Sequence, residues 1–477
     1  MITSLKNPKV AAAIKLKKRA FRDRERRFLV EGAQAIGEAL SSAGGISQLV
    51  RSSDLHPVVT RAREAGVEVV EVSEAVMAKL TSTVTPQGLV AVAPYLDVPP
   101  DAVPERPGCV AVLHAVRDPG NAGTVLRSAD AAGADAVIFS DSSVDPYNPK
   151  TVRASAGSLF HLPVVRGAPT PAAVAALRGR GCRVLAMDAR GQADLYGMDL
   201  SGPVAFLFGN EAWGLPGEVA ALADGMVRVP IARRAESLNL AAAASVCLFE
   251  WARQRRQGRR SALETVIASA AHDIRSPLTA MKGFGFALSS RWEQMSAEHR
   301  SLMLQGIVHD TDRMNIIVRQ LVDAARIVAG NLELFPQLVE LEELVARVAE
   351  ERRGDPGHPA VRWTGGRVRA FVDPDRLQLI LEAFMEAEVW WASEGPVVVS
   401  GGVDEGRLVL EVFRAGTELD PEGAGALFEP RPPGTGSGSK IGLFVARGVA
   451  EAQGGSATVH VEDGLRFRLE VPAVPEP

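Results

Sequence analysis

Short apolar runs alternate with amphipathic stretches through the first half of the chain, and the period of that pattern changes near residue 260. From Cys109 onward, Val110-Ala-Val-Leu113, Ala136-Val-Ile-Phe139, Arg183-Val-Leu-Ala-Met187, Val204-Ala-Phe-Leu-Phe208 and Met226–Val229 are four or five residues long and almost wholly apolar. Runs of that kind suit strands buried on both faces, and the helical or loop segments between them predict a parallel sheet with helices on both sides over residues 108–255. An alanine-rich helix, Leu240–Trp251, closes this domain. Upstream, a helix over residues 1–27 precedes Phe28-Leu-Val-Glu-Gly32, Gln48–Arg51, Val67–Val72 and Thr85-Pro-Gln-Gly-Leu-Val-Ala-Val-Ala93, which alternate with helical stretches. These predict a smaller α/β domain over 1–97. The proline-rich segment 98–107 reads as a stiff, extended linker.

After a basic linker at 256–262, the apolar positions recur at helical spacing. Leu263, Val266, Ile267, Ala270, Ile274, Leu278, Met281 and Leu288 form one stripe, and Leu304, Ile307, Met314, Ile317, Leu321 and Val328 form another. The pattern predicts a helical hairpin over 263–330 that buries its stripes most easily against a second copy, as a four-helix bundle in a homodimer. His272 lies about 200° round the helix from Ala270 and Ile274 at roughly 100° per residue, which predicts a solvent-facing ring. Pro277 predicts a kink.

A chain of 477 residues fits about three domains of ordinary size. Charge divides it more sharply than the formal net charge of −4 suggests. Residues 1–30 carry ten Lys or Arg against Asp23 and Glu25, a net of +8, whereas residues 331–477 carry 14 basic and 25 acidic side chains, a net of −11. A charge run more commonly marks a solvated face. The density here nevertheless makes Lys15, Lys17, Lys18, Arg19 and Arg22 candidates for contact with RNA phosphates. Cys109, Cys182 and Cys247 are too far apart for a close-paired metal site or disulfide framework and read as buried thiols, so no metal is expected. No apolar stretch approaches about 18 residues, so a cytoplasmic protein without a membrane segment is expected. The basic N-terminus imitates a mitochondrial transit peptide, but its two acids and its continuity with the following domain argue against that reading.

The candidate chemistry lies after the run Val204–Phe208. Leu207-Phe-Gly-Asn-Glu-Ala-Trp-Gly-Leu215 places a sharp turn where open α/β sheets bind their ligands, beyond the carboxyl ends of the strands. A second stretch, Val229-Pro-Ile-Ala-Arg-Arg-Ala-Glu-Ser-Leu-Asn239, ends in Ser237, expected to cap a helix beginning near Leu238 with Asn239 in its first turn. Earlier, Arg117-Asp-Pro-Gly-Asn-Ala-Gly-Thr-Val-Leu-Arg127 suggests a turn at Asp118–Gly120 and a helix opened by Asn121. Arg127, nearly two turns later, is expected on the same side. By itself Arg127 would be a surface charge.

The conjunction carries more. Asn121-x-Gly-x-x-x-Arg127-x-Ala, Gly209-Asn-Glu211-x-x-Gly214-Leu, and Pro230-Ile with Glu236-Ser-Leu-Asn239 resemble, in order and spacing, the three motifs of the SpoU-type RNA ribose methyltransferases of the SPOUT class. Asn7-Pro-x-Val10, Phe28-x-Val-Glu-Gly32 and Thr85-Pro-Gln-Gly88 resemble that family's substrate-binding domain, so the likeness covers about residues 1–255. The resemblance implies a trefoil knot, a homodimer, and S-adenosyl-L-methionine as cofactor for methyl transfer to a ribose 2′-hydroxyl of ribosomal or transfer RNA. It implies a cofactor site at Leu207, Phe208, Gly209, Asn210, Gly214, Val229, Pro230, Ile231, Leu238 and Asn239. It gives Arg127 the catalytic position, with Asn121, Glu211, Ser237 and Asn239 around it.

In the second half, His272-Asp-Ile-Arg-Ser-Pro-Leu278 resembles the phosphoacceptor box of sensor histidine kinases, with a phosphorelay protein as the implied partner. Asp375-x-Leu-Gln-x-Ile-Leu381, Leu427-Phe-Glu-Pro430 and Gly438-Ser-Lys-Ile-Gly-Leu443 resemble the kinase ATP-binding domain, which implies an α+β domain over residues 335–472. Departures count against ATP and magnesium. Glu386 stands at the magnesium-holding asparagine, Lys440 replaces a glycine, and Arg414 stands at the adenine-reading aspartate, where an obligate donor cannot accept a proton. The resemblance implies a degenerate regulatory or dimerising module. The alternative is a signalling histidine kinase whose methyltransferase-like half only binds RNA.

Overall fold

The computed structural model of the chain describes residues 1–52, 56–83, 87–232, 237–351, 359–404, 406–429 and 441–473. It divides into two units, Met1–Arg256 and Gln257–Pro477.

The first unit begins with two basic helices, α1 (Pro8–Lys15) and α2 (Arg19–Glu25), instead of the single helix expected over 1–27. Leu16 is buried at the break, and the Arg22 guanidinium donates to the carbonyls of Leu16 and Lys17 that the break leaves without helical partners. The strands β1 (Arg27–Glu31), β2 (Gln48–Arg51), β3 (Glu68–Glu71) and β4 (Leu89–Pro94) form a mixed sheet in the order β1-β4-β2-β3. Helices α3 (Ala33–Ser41), α4 (Pro57–Glu64) and α5 (Glu74–Leu80) connect them.

Seven strands follow, β5 (Cys109–Leu113), β6 (Ala136–Ser140), β7 (Val164–Ala168), β8 (Arg183–Met187), β9 (Ala193–Asp194), β10 (Val204–Phe208) and β11 (Gly225–Arg228). They form one parallel sheet in the order β7-β6-β5-β10-β8-β11-β9. Every residue of β5, β6 and β10 is buried, as the apolar runs require. Two strands lie outside the expected set: β7 carries Arg166 and Gly167, and β9 has two residues, so neither shows an apolar run. The intervening helices are α6 (Pro119–Ala132), α7 (Pro149–Ala154), α8 (Thr170–Gly179) and α9 (Gly217–Ala220). Leu113 lies opposite Phe208 and Phe208 opposite Met187, so the loops leaving β5, β10 and β8 emerge together on the carboxyl edge.

The next helix, α10 (Leu240–Arg291), packs Ala241, Ala244, Cys247, Leu248 and Trp251 into the first unit's core. The basic connector, expected to separate two elements, is part of this helix. Its Arg and Gln residues are good helix formers, and Gly258 does not outweigh them. Pro277 also lies within the continuous helix and is buried.

In the second unit, α11 (Ala297–Ala329) completes the hairpin. Ser296 caps its start, and Gly330, at φ +74°, ends it. Val266, Ala270, Ile317 and Ala324 are buried, whereas Ile267, Leu278, Phe286, Leu304, Val308, Val318 and Val322 are exposed. A two-stranded ladder, β12 (Gln337–Glu340) with β14 (Arg369–Val372), stands beside a five-stranded sheet. That sheet comprises β13 (Val361–Trp363), β15 (Ala392–Asp404), β16 (Arg407–Thr417), β17 (Ser456–Val461) and β18 (Gly464–Pro472), in the order β13-β15-β16-β18-β17. The accompanying helices are α12 (Leu341–Glu351), α13 (Pro374–Trp391), α14 (Pro421–Gly425) and α15 (Gly442–Ala452). Phe384 stacks on Phe467 at 5.0 Å between ring centroids, with Phe428 edge-on to both. No helix among the described residues is long and apolar enough to cross a membrane.

Candidate active site

On the carboxyl edge, the loop after β5 is held in an unusual conformation. Ala115 adopts φ +52°, a left-handed value uncommon for a residue with a side chain. Its N–H donates to Ser140 Oγ at 3.1 Å, and its carbonyl accepts from Asn210 Nδ2 at 2.7 Å. Asn210 thus ties the β10 loop to the β5 loop. Its Oδ1 also accepts from the Ala212 N–H, while its backbone exchanges two hydrogen bonds with Gly214. The closed turn explains both glycines. A Cβ on Gly209 would sit 2.4 Å from the Gly214 carbonyl carbon, and Gly214 has φ +71°.

Glu211 lies in this turn. Its carboxylate accepts from the Arg117 N–H at 3.1 Å, the Asp118 N–H at 2.9 Å and Asn121 Nδ2 at 3.1 Å. Burial pushes its pKa up, but the donations from Arg117, Asn121 and Asp118 win, holding it below the ordinary value. Asn121 Oδ1 in turn accepts from Asn239 Nδ2 at 3.0 Å. A hydrogen-bonded string, Glu211–Asn121–Asn239, therefore joins all three sequence motifs.

The local reasons differ from expectation in three places. Asp118, not Asn121, caps α6: its Oδ1 accepts from the Gly120 and Asn121 N–H groups, and its Oδ2 holds Lys150 at 2.9 Å. Asn239, not Ser237, caps α10, which begins at Leu240; Oδ1 accepts from Ala241 at 2.9 Å and Ala242 at 3.3 Å. Ser237 is exposed and makes no hydrogen bond among the described residues. Arg127 is not on the same side as Asn121, since six residues at 3.6 per turn leave them about 120° apart round α6. It is exposed and unpaired among the described residues.

Among the expected cofactor positions, Leu207 and Phe208 are buried in β10, so their backbone rather than their side chains borders the edge. Val229, Pro230 and Ile231 are half-buried beyond β11, and Leu238 is exposed. Arg233, Arg234, Ala235 and Glu236 lie outside the described residues, as do Thr85 and Pro86. Gly123, the small residue of the first motif, has a packing role: a Cβ there would meet the Thr151 carbonyl oxygen at 2.4 Å where α6 crosses α7.

The basic N-terminal candidates divide. Lys15, Lys18 and Arg19 are exposed. Lys17 is partly engaged, donating at 2.7 Å to the carbonyls of both Lys79 and Thr81. Arg22 is overturned as an RNA contact. It is 2% exposed and paired with buried Asp145 at 2.6 Å, joining the small domain to the seven-stranded domain. That joint also contains Tyr95 stacked on Tyr147 at 3.9 Å, with Arg166 over both rings. Spacing could not distinguish Arg22 from its neighbours, because its acidic partner lies 123 residues away.

In the second unit, His272 is half-buried, not fully solvent-facing, with its side chain 43% exposed and Nδ1 3.4 Å from Asp273 Oδ1. Arg414 does not wait at an open site. Its guanidinium donates to the carbonyls of Glu388 at 3.2 Å, Ala392 at 2.7 Å and Gly395 at 3.2 Å, stapling the end of α13 to β15. Pro430, Gly438 and Lys440 lie outside the described residues.

Comparison with known proteins agrees with this division. The model of the SpoU rRNA Methylase family matches residues 108–249, that of the MRM3-like substrate binding domain residues 7–91, and that of the His Kinase A (phospho-acceptor) domain residues 262–330. The chain is 34% identical over 248 residues to the 23S rRNA (guanosine(2553)-2′-O)-methyltransferase RlmP of Bacillus subtilis, spanning 52% of this chain and 97% of that protein. It is 41% identical over 166 residues to the 23S rRNA (uridine(2479)-2′-O)-methyltransferase of Streptomyces viridochromogenes, spanning 33% of this chain and 58% of that protein. An AdoMet-bound rRNA methyltransferase structure from Sinorhizobium meliloti shares 38% identity with a TM-score of 0.49, covering 53% of this chain and 97% of the other.

Proposed function

This chain belongs to the SpoU rRNA methylase family, and from that premise we propose that it transfers a methyl group from S-adenosyl-L-methionine to a ribose 2′-hydroxyl of ribosomal RNA. The observation carrying this reading is the Glu211–Asn121–Asn239 string, which gathers the three motif loops at the carboxyl edge of one parallel sheet. The residues there fit the cofactor. Val229, Pro230 and Ile231 offer a half-buried apolar surface for a flat ring where the chain leaves β11, on the same carboxyl edge from which the Gly209 turn leaves β10. When bound, the cofactor supplies a methyl carbon already activated by its positive sulfur.

The chain's own task is then orientation, because in-line displacement requires three aligned atoms. Glu211 fixes the two backbone amides that lead into α6, Asn121 passes that order to Asn239, and the cap sets where α10 starts. Arg127, an exposed cation, holds a phosphate or ribose oxygen and stabilises negative charge developing on the nucleophile. Ser237, beside the cap, contacts substrate or cofactor. Lys15, Lys18 and Arg19 hold the RNA backbone, with Lys17 in a lesser role. Transfer of labelled methyl to purified ribosomal RNA, with mass identification of the modified nucleoside, tests the reading: a 2′-O-methylated nucleoside supports it, and a base-methylated one sinks it.

The second unit serves, on this reading, as a dimerising and regulatory module in a cytoplasmic homodimer. The exposed apolar positions Leu304, Val308, Val318 and Val322 on α11 favour pairing with a second copy. His272 lies within the matched phosphoacceptor segment with an accessible ring, and accepts phosphate from a separate phosphorelay protein.

A further inference from the structure

The Glu211 turn holds one large side chain away from every buried cluster of the first unit. Trp213 is 56% exposed, at the tip of a turn closed by paired Asn210–Gly214 hydrogen bonds and by the contact of Gly209 with the Gly214 backbone. An indole that served packing would be turned inward; this one is fixed outward by a backbone with little freedom to move. The Arg117 guanidinium lies 5.5 Å from the centre of its ring, and Arg117 is itself exposed while its N–H is committed to Glu211. The Gly214 end of the turn also adjoins an ion pair. Asp188, whose Oδ2 lies 3.5 Å from where a Gly214 Cβ would be, pairs with Arg190 at 2.9 Å, and the Arg190 side chain is 76% exposed.

An aromatic ring with the Arg117 guanidinium against it, next to the motif string, has the chemistry of a nucleotide seat: the ring stacks a base and the cation meets a phosphate. We propose that Trp213 and Arg117 form a stacking platform for an unpaired base adjoining the target ribose, so that the substrate is a single-stranded or looped segment of RNA. A base within a duplex already stacks on its neighbours and does not offer a free face to the indole. The inference rests on the methyltransferase reading and adds the substrate's local structure and the residue that selects it.

The test uses the full chain, Trp213→Ala, Trp213→Phe and Arg117→Ala. One arm measures labelled methyl transfer to ribosomal RNA. A second measures binding of a fluorescent single-stranded oligonucleotide and of the same strand annealed to its complement. A third measures equilibrium binding of S-adenosyl-L-methionine. Trp213→Ala is expected to raise KM for RNA about tenfold and to abolish the preference for the single strand over the duplex, with cofactor affinity unchanged. Trp213→Phe should restore most of both, because a phenyl ring also stacks. An unchanged KM and strand preference in Trp213→Ala overturns the proposal, as does weakened cofactor binding with RNA binding intact, which would make the indole a cofactor contact. If the wild type transfers no methyl to any RNA, the functional reading fails, while the oligonucleotide arm still decides whether Trp213 is a stacking platform.

Discussion

Glu211 is the side chain that most directly couples the motif loops, since one carboxylate receives two backbone N–H groups and the Asn121 amide. Glu211→Ala leaves those donors without their acceptor and should displace the start of α6. We expect methyl transfer to fall about a hundredfold, as for other small misplacements of a reacting geometry, while circular dichroism shows the fold retained. The sign of the pH dependence follows from its lowered pKa. Stability from Glu211 is fully present above the ordinary value of 4.5 and is lost as pH falls through the lower folded value, so Glu211→Gln should flatten that acid limb in a thermal unfolding series. At this scale the sequence was legible where type and spacing suffice: Asn121, Glu211 and Asn239 meet. It was not legible where the partner is remote, as with Arg22 and Asp145, or where backbone strain matters, as at Ala115. The caps were readable but misassigned, because Asp118 and Asn121 at α6, like Ser237 and Asn239 at α10, are all good capping types and only the helix start decides between them.

Among the elements, α13 carries the sharpest conflict. Glu388 is fully buried, and neither carboxylate oxygen has a hydrogen-bond partner among the described residues. Burial pushes its pKa up to about 9 despite the opposing charges of Arg414 and Arg466. It is therefore protonated in the folded chain at neutral pH, whereas the unfolded chain ionises it above 4.5. Its contribution to stability declines as pH rises from 4.5 to about 9. Glu388→Leu should remove that decline and raise stability at pH 7.5 by about 1–3 kcal/mol, read from unfolding of the full chain at several pH values. Beside it, the Arg414 guanidinium is spent on three backbone carbonyls. We expect no calorimetric binding of ATP with magnesium at millimolar nucleotide, and micromolar affinity would restore the kinase alternative. The elements themselves were legible wherever an apolar period was long or continuous, as in β5, β10 and α11. They were missed at β7 and β9, which are short or polar, and the unbroken α10 was hidden by a connector whose polarity resembles a linker although its propensity is helical.

For the whole molecule, charge gives the first expectation. The net of +8 in residues 1–30 survives folding only in part, because Arg22 and Lys17 are engaged internally and Lys15, Lys18 and Arg19 remain exposed. Replacing those three by Ala should weaken RNA binding across sequences and lower the slope of log affinity against log salt by about 2, since each lost phosphate contact to a single strand removes about 0.7. The knot implied by the resemblance could never have come from periodicity, which records which residues are buried and not how the chain threads. The central claim is that the motif edge methylates a ribose and that Arg127 stabilises the reacting oxygen. The most direct test incubates ribosomal RNA with labelled S-adenosyl-L-methionine and either the wild type or Arg127→Ala, then digests the RNA and identifies the labelled nucleoside. The account predicts a single 2′-O-methylated nucleoside whose label falls at least about a hundredfold in the variant, with cofactor binding unchanged. Equal labelling by the variant, or a wild type that binds the cofactor and labels no RNA, would contradict it.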